Sequence, residues 1–124
     1  MSETKHRVLI IDDSQMMLGT LGNILKSEYS VLVAKSGEKG ITSAKKNTPS
    51  LILLDVMMPE MSGFEVIEAL KADEATKNIP VIFLTGDDTV ESKEKGYELG
   101  AVDYIEKPFE ADVVRQRVSQ NIKL

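Results

Sequence analysis

Five polar residues occupy positions from which they could act together in a reaction. They are three aspartates, one threonine and one lysine. Each lies at or shortly after the end of a short apolar run: Asp12, Asp13, Asp55, Thr85 and Lys107. Three carboxylates held close together raise one another's pKa unless a cation joins them. Oxygen ligands favour a hard divalent ion such as Mg²⁺, Mn²⁺ or Ca²⁺ over zinc, and Mg²⁺ prefers one or two carboxylates together with phosphate oxygens and water.

Considered alone, each of these residues also has a purely structural interpretation. Asp55 can cap or solubilise the end of a strand, Thr85 can be a strand-end hydroxyl, and Lys107 can be a solvated surface lysine. The functional interpretation therefore depends on whether the fold brings the five side chains to one place.

Five short segments predict β-strands, of which the first four are apolar runs too short for a helix. The segments are Val8–Ile11, Val31–Ala34, Leu51–Leu54, Val81–Leu84 and Val102–Ile105. The run before Asp55 is apolar on both faces, which favours a strand buried in a parallel sheet.

A segment with helical spacing or a capping signal follows every strand. Ser14 fits the N-cap of a helix through about residue 27, and Ser62 with Glu65 has the spacing of a capping box. The other helices are expected over about 37–46, 88–98 and 110–122. Repeated β-α units predict an α/β domain with a parallel sheet between helices. All the polar strand ends then lie at one edge of the sheet, where such folds bind ligands.

The helix expected over 88–98 has a poor apolar face. Val90 and Tyr97 are its only sizeable apolar residues between Asp87 and Glu98. Gly96 lowers its stability by about 1 kcal/mol relative to alanine. Gly100 suits the left-handed position that follows a helix end.

The overall composition of the chain argues against several classes of function. The formal net charge of −5 argues against a nucleic-acid surface on this domain. The chain has no cysteine, which excludes disulfides and thiolate metal sites. No apolar run approaches the roughly 20 residues of a membrane span, and the first residues lack the apolar core of a signal peptide. We expect one cytoplasmic domain over residues 1–124 that binds neither nucleic acid nor membrane; a longer parent chain is compatible with these residues.

Five segments in order carry a resemblance to a known family. They are Ile11–Ser14, Leu54–Pro59, Met61–Glu65, Leu84–Gly86 and Gly100–Phe109. From Val8 to about Val118 the chain resembles the receiver domains of two-component response regulators, of which the single-domain chemotaxis regulator is a familiar member. The resemblance implies a flavodoxin-like (βα)5 three-layer sandwich whose five parallel strands have the order 2-1-3-4-5.

The resemblance also implies roles for the polar residues. Asp55 is expected to be the phosphoacceptor, a nucleophile that forms an aspartyl phosphate. A Mg²⁺ site is expected from Asp13 directly, Asp12 through water, Asp55 and the backbone carbonyl of Met57. The cation and Lys107 would neutralise charge on the transferring phosphoryl group.

Thr85 and Tyr104 are implied to form a switch. Thr85 would join the catalytic residues by hydrogen-bonding a phosphate oxygen, and Tyr104 would turn inward as Thr85 moves. The weak 88–98 helix supports this, because elements of low stability are the ones that move. The alternative for Tyr104 is a half-exposed aromatic filler. The family further implies a cis peptide between Lys107 and Pro108.

Several other residues near the expected site have open roles. Met57 and Asp87 lie two residues beyond Asp55 and Thr85, at positions that tune phosphate lifetime in this family. Five methionines flank the acidic edge and either pack internally or offer an adaptable docking surface: Met16, Met17, Met57, Met58 and Met61. His6 lies in a polar lead-in and is expected to be exposed.

The resulting hypothesis is a signalling switch, not a conventional enzyme, which promotes its own phosphorylation and dephosphorylation. It would accept a phosphoryl group from a histidine kinase or a histidine phosphotransfer protein. Phosphorylation would then alter binding to a downstream effector or a fused output domain. The amino-acid sequence of Gly100–Ile105 resembles the same segment in receivers that are fused to cyclic-dinucleotide enzymes or sensor kinases.

Three alternatives compete with this hypothesis. An aspartate-nucleophile phosphatase of the haloacid dehalogenase type places two acids two residues apart on its first strand, whereas Asp12 and Asp13 are adjacent. A flavodoxin-like cofactor carrier would bind phosphate in its first loop, where these same acids repel it. A receiver-shaped module that has lost phosphorylation would be expected to lack part of the polar set.

Overall fold

In a computed structural model, which describes residues 5–86 and 90–122, strands and helices alternate as expected. The strands are β1 (Arg7–Ile11), β2 (Ser30–Ala34), β3 (Leu51–Asp55), β4 (Val81–Thr85) and β5 (Asp103–Glu106). The helices are α1 (Gln15–Leu25), α2 (Gly37–Asn47), α3 (Gly63–Lys71), α4 (Val90–Glu98) and α5 (Ala111–Asn121). Within the described residues, none of the helices is long and apolar enough to cross a bilayer.

All five strands are parallel and have the order β2-β1-β3-β4-β5, which confirms the prediction. Strands β3 and β4 are buried along their whole length, as expected where helices cover both faces of a sheet. In the register, Ile11 pairs with Leu54 and Asp55 pairs with Leu84. The ends of β1, β3 and β4 therefore share one edge of the sheet, which we call the carboxyl edge.

Side chains alternate between the two faces of the sheet and form two cores. On one face, Ile52 and Phe83 pack with residues of α2 and α3. On the other face, Leu53 and Leu84 pack with residues of α1 and α5. The domain is therefore the expected three-layer sandwich.

The predicted helix ends are confirmed where side chains cap them. The Ser14 hydroxyl accepts a hydrogen bond from the backbone N–H of Met17 at the start of α1. Ser62 and Glu65 form the reciprocal capping box of α3. Gly100 follows α4 with a φ of 113°, in the region that favours glycine.

Helix α4 is weakly buried, as the sequence predicts. Among residues 91–98, whose burial is described, Gly96 alone is buried. Tyr97, the large side chain that follows Gly96 in the helix, is 49% exposed and contributes little to the core. Tertiary packing of an apolar face provides most helix stability in proteins, so α4 is held less firmly than its neighbours.

Gly19 in α1 provides a test of the helix assignment. A Cβ built on Gly19 has no heavy atom within 4 Å, and the residue is exposed. Gly19→Ala should therefore raise the free energy of unfolding by about 0.5–1 kcal/mol, because alanine loses less backbone entropy on folding. Urea denaturation followed by circular dichroism measures the change. In the control variant Gly40→Ala, the new Cβ would lie 2.4 Å from Ile11 Cδ1, so stability should fall. A destabilised Gly19→Ala protein would contradict the exposed position.

Candidate functional site

The polar residues singled out in the sequence lie along the carboxyl edge of the sheet. Asp12 and Asp13 follow β1, Asp55 ends β3, Thr85 ends β4 and Lys107 follows β5. Asp12, Asp55 and Thr85 are buried, Lys107 is partly buried, and Asp13 is exposed. The edge therefore combines a buried floor with one acidic group open to solvent.

The three aspartates form an acidic cluster. One carboxylate oxygen from each of Asp12, Asp13 and Asp55 lies within 4.8 Å of the others. The backbone N–H of Ser14 donates to Asp12 Oδ1 at 2.9 Å, which orients that carboxylate. Because the donors are all oxygen and lie close enough to share one ion, the cluster fits a hard divalent cation such as Mg²⁺.

Lys107 provides positive charge beside the acidic cluster. Its Nζ donates to Asp55 Oδ1 at 3.1 Å and lies 3.5 Å from Asp12 Oδ2. The Lys107–Pro108 peptide is cis, which confirms the expectation. The backbone N–H of Lys107 donates to the carbonyl of Thr85 at 2.8 Å and holds the turn after β5 against the end of β4.

The environment of Asp55 disfavours its charged form. Burial is the largest cause that raises its pKa, and the negative charge of Asp12 raises it further. The Lys107 ammonium and a hydrogen bond from the backbone N–H of Met57 act in the opposite direction without fully compensating. A second cation close to Asp55 would favour its charged form.

Gly63 allows α3 to begin directly against the end of β3. A Cβ at Gly63 would lie 2.4 Å from the carbonyl oxygen of Asp55 and 2.9 Å from Cα of Val56. The backbone N–H of Gly63 also donates to the carbonyl of Val56 at 2.9 Å. No other residue fits this close approach of two backbones, so the glycine positions the Asp55 strand end.

The loop between β3 and α3 contains a strained turn. The backbone N–H of Met61 donates to the carbonyl of Pro59 at 2.7 Å, and the intervening Glu60 has a φ of 68°. This is a γ-turn with a positive central φ, a conformation that is unfavourable for a non-glycine residue. Strain of this kind is found next to functional sites, and here Glu60 lies five residues beyond Asp55, the last acidic residue of the cluster.

The methionines around the edge divide into two groups. Met16 and Met57 are each 73% exposed, so neither packs internally. Met58 and Met61 are partly buried and pack against the core beneath α2 and α3. Met17 is also partly buried. The packing interpretation therefore applies to Met58 and Met61, and the docking interpretation stays a prediction for the exposed Met16 and Met57.

Tyr104 is 4% exposed and packs inside the domain, so its interpretation as a half-exposed filler is wrong. Its hydroxyl donates to the backbone carbonyls of Ser92 at 3.0 Å and Lys93 at 3.3 Å, both in α4. Its ring lies between those of Phe83, with centroids 5.6 Å apart, and Tyr97, with centroids 5.2 Å apart. Burial, reinforced by neighbouring Tyr97, raises the pKa of Tyr104.

Sequence reasoning missed two residues that shape this pocket. Phe83 was identified only as part of a strand, and Gly96 only as a weakness of α4. A Cβ at Gly96 would lie 1.8 Å from the Tyr104 hydroxyl oxygen. The sequence did show a glycine inside a predicted helix with no evident reason for it. That Gly96 contacts Tyr104 can be seen only in the folded structure.

Two remaining predictions concern Asp87 and His6. Asp87, expected to tune phosphate lifetime, lies outside the described residues. His6 is exposed, as predicted, and its Nδ1 lies 3.3 Å from the hydroxyl oxygen of Ser50, at the opposite edge of the sheet from the acidic cluster.

Known proteins resemble this chain across nearly its whole length. Residues 8–119 match the family model described as the response regulator receiver domain. The chain is 40% identical over 116 residues to a probable cyclic di-GMP phosphodiesterase of Vibrio cholerae, which covers 94% of this chain and 26% of that protein. It is 39% identical over 113 residues to the DNA-binding transcriptional regulator RpaA of Synechocystis, which covers 90% of this chain and 47% of that protein. The chain thus spans less than half the length of either relative.

Solved structures agree with the sequence comparisons. The chemotaxis protein CheY4 of Vibrio cholerae superposes with a TM-score of 0.92 at 28% identity, covering 96% of this chain and 100% of that chain. Flavodoxin-like carriers share this topology, so the family match rather than the fold alone separates the two possibilities. The chain belongs to the response regulator receiver domain family, whose general function is that of a phosphoryl-accepting switch in two-component signalling.

Proposed function

We propose that residues 1–124 act as one receiver unit in which Asp55 accepts a phosphoryl group from the phosphohistidine of a kinase or a phosphotransfer protein. The observation that carries the proposal is the acidic cluster of Asp12, Asp13 and Asp55 beside Lys107. An oxygen of Asp55 forms the new bond to phosphorus as the bond from phosphorus to the histidine nitrogen breaks. Asp55 is the candidate nucleophile because it ends the buried strand β3 and lies nearer to Lys107, at 3.1 Å, than Asp12 does at 3.5 Å.

The other polar residues stabilise the negative charge of the transferred phosphoryl group. Lys107 neutralises negative charge on the incoming phosphoryl oxygens, and Thr85 hydrogen-bonds one of them after transfer. Asp13, Asp12, Asp55 and the backbone carbonyl of Met57 are the proposed ligands of Mg²⁺. When bound, Mg²⁺ stabilises the charge that develops on the phosphoryl group. The domain thereby promotes its own phosphorylation and dephosphorylation without turning over a separate substrate.

The proposed output is a change at the face formed by α4, β5 and α5. Thr85 ends β4 at the acidic edge, and Tyr104 connects β5 to the first turn of α4 through its hydroxyl. A shift of Thr85 toward the phosphoryl group changes the space next to Tyr104, and so reaches α4. The partner on this face is a downstream effector or a fused output domain in the cytoplasm. The net charge of −5 disfavours direct nucleic-acid binding by this domain.

Acetyl phosphate tests the assignment of Asp55. With Mg²⁺ present, the wild-type chain should gain one phosphate by intact mass, and Asp55→Asn should gain none, because the amide is not a nucleophile. Asp112→Asn is the control, since the Asp112 side chain is 95% exposed on α5 and pairs only with Arg115 among its described contacts. Phosphorylation of Asp55→Asn at the wild-type rate would show that another residue is the acceptor.

Mg²⁺ should stabilise the folded domain, because it relieves repulsion within the acidic cluster. At ten times its dissociation constant the gain is about 1.4 kcal/mol by mass action. Thermal unfolding with Mg²⁺ and with EDTA measures this gain. Asp13→Ala should remove most of it, since Asp13 is the exposed acid of the cluster, and Asp112→Ala should leave it intact. A full response in Asp13→Ala would contradict the proposed ligand set.

The pH dependence of this experiment follows from the raised pKa of Asp55. In the metal-free protein, the folded state binds the Asp55 proton more tightly than the unfolded state does. The contribution of this group to stability is therefore greatest below its ordinary pKa and is lost as the pH rises through the raised pKa. Mg²⁺ acts in the opposite direction, because the proton competes with the cation, so the Mg²⁺-dependent gain should shrink on acidification.

Thr85→Ala tests the connection to the output face. The variant should still gain the phosphate, but lack a charge-assisted hydrogen bond worth about 1.5–3 kcal/mol, and so change its conformation less. Amide chemical shifts recorded with Mg²⁺ and the phosphate mimic beryllofluoride measure the response of residues 90–106. Thr42→Ala is the control, because Thr42 is exposed on α2 and bonds only to the carbonyl of Glu38 among its described contacts. A wild-type response in Thr85→Ala would mean that the signal bypasses this hydroxyl.

A further inference from the structure

We propose that Gly96 is the positioning residue for Tyr104, and that the volume at position 96 decides whether Tyr104 lies inward or outward. The proposal rests on the proposed function only for its consequence at the output face. The fit between Gly96 and Tyr104 is a property of the folded domain itself.

The backbone does not require glycine at position 96. Gly96 lies within α4, and its φ is outside the left-handed region. Alanine at a helix interior is favoured over glycine by about fivefold in the folding equilibrium constant. Some contact must therefore account for a glycine in the helix that is already the most weakly buried.

That contact is the Tyr104 side chain. A Cβ at Gly96 would lie 1.8 Å from the Tyr104 hydroxyl oxygen and 2.8 Å from its Cζ. It would also lie 3.1 Å from Cδ2 of Phe83. The first two distances are far below van der Waals contact, whereas a shift of a few tenths of an ångström relieves the third. The inward position of Tyr104 and a side chain at position 96 are thus mutually exclusive.

Tyr104 is the group that must yield. Phe83 is fully buried in β4 and stacks edge-on against Phe64, with centroids 5.5 Å apart. The clash involves the hydroxyl end of the Tyr104 side chain. Rotation about χ1 can move this end away from position 96. A surface cleft lies beside it, lined by residues that include Tyr97, Glu106 and Phe109, and offers space for the displaced ring.

The consequence is confined to the output face. Gly96 has no described contact with the acidic cluster, and Tyr104 is joined to α4 through the carbonyls of Ser92 and Lys93. An outward Tyr104 loses both hydrogen bonds, which leaves α4 joined to β5 by fewer contacts, among them the Lys93–Glu106 ion pair. Gly96→Ala should therefore alter the face made by α4, β5 and α5 while the chemistry at Asp55 proceeds.

Ring contacts measured by NMR test the geometry directly. In the wild-type protein, nuclear Overhauser effects should join the Tyr104 ring to the Phe83 ring. In Gly96→Ala these should disappear, while those between Phe64 and Phe83 persist. Persistence of the Tyr104–Phe83 effects in a folded Gly96→Ala protein would overturn the proposal.

A double-mutant cycle separates this role from a general loss of packing. Gly96→Ala should lower the folding equilibrium constant in the wild-type background. In a Tyr104→Ala background the same change should raise it, by about fivefold, because only the helix preference remains. Gly19→Ala is the matched control and should raise stability in both backgrounds, since nothing lies within 4 Å of its Cβ.

Failure to fold is also informative in this cycle. If Gly96→Ala does not fold but the double variant does, the rescue supports the proposal. If Gly96→Ala is destabilising to the same extent in both backgrounds, or neither protein folds although Tyr104→Ala does, the damage does not run through Tyr104 and the proposal is wrong.

A phosphorylation experiment on the Gly96→Ala variant separates failure of this proposal from failure of the proposed function. With acetyl phosphate and Mg²⁺, Gly96→Ala should gain one phosphate at the wild-type rate, but beryllofluoride should shift the amides of residues 103–106 less than half as far as in wild type. An unaltered response of these amides would overturn the link to the output face. If wild type itself gains no phosphate, the proposed function fails, whereas the ring contacts and the cycle still decide the role of Gly96.

Discussion

Stabilisation of a buried carboxylate at the end of β3 is the constraint on which the rest of the structure depends. Asp55 is 4% exposed and lies beside a second buried acid, Asp12, so both its environment and its neighbour disfavour its charge. Lys107, from the turn after β5, offsets part of this penalty at 3.1 Å. A parallel sheet brings these residues together because the ends of its strands share one edge. A divalent cation at this edge would offset the negative charge that Lys107 leaves uncompensated.

The acidic edge is connected to the output face by continuous packing. Phe83 contacts the Gly63 region behind Asp55 on one side and the Tyr104 ring on the other. Tyr104 in turn bonds to α4, the most weakly buried helix among the described residues. A change at the acidic edge can bias α4 only through contacts that differ between two states. We propose that the fit of Tyr104 against Gly96 is such a contact, because glycine leaves room for the inward Tyr104 and a Cβ at position 96 would not.

The face formed by α4, β5 and α5 carries ion pairs that join its three elements. Ion pairs join Lys93 to Glu106 at 2.6 Å and Arg117 to Asp103 at 3.0 Å. Exposed pairs of this kind contribute little to stability, so the fold does not depend on them. For the partner proposed above, their charges would contribute to the electrostatic pattern of this face.

Local sequence patterns predicted the elements and placed the candidate site residues at strand ends, because both are encoded in short segments, whereas the roles of these residues remain predictions from the family resemblance. Short apolar runs predicted the strands, Ser14 and Ser62 predicted helix starts, and the polar residues could be assigned to strand ends. Strand order did not follow from these patterns. It came from the family resemblance, since β-α alternation fixes parallel strands but not their neighbours.

Tertiary structure alone decided how distant residues fit together. Lys107 and Asp55 are 52 positions apart, and no local pattern predicts that their side chains pair. The burial of Tyr104 and the need for glycine at position 96 are two sides of one contact between β5 and α4. Periodicity shows which face of an element is buried, but not which side chain fills which space, because that depends on the close packing of segments far apart in the chain.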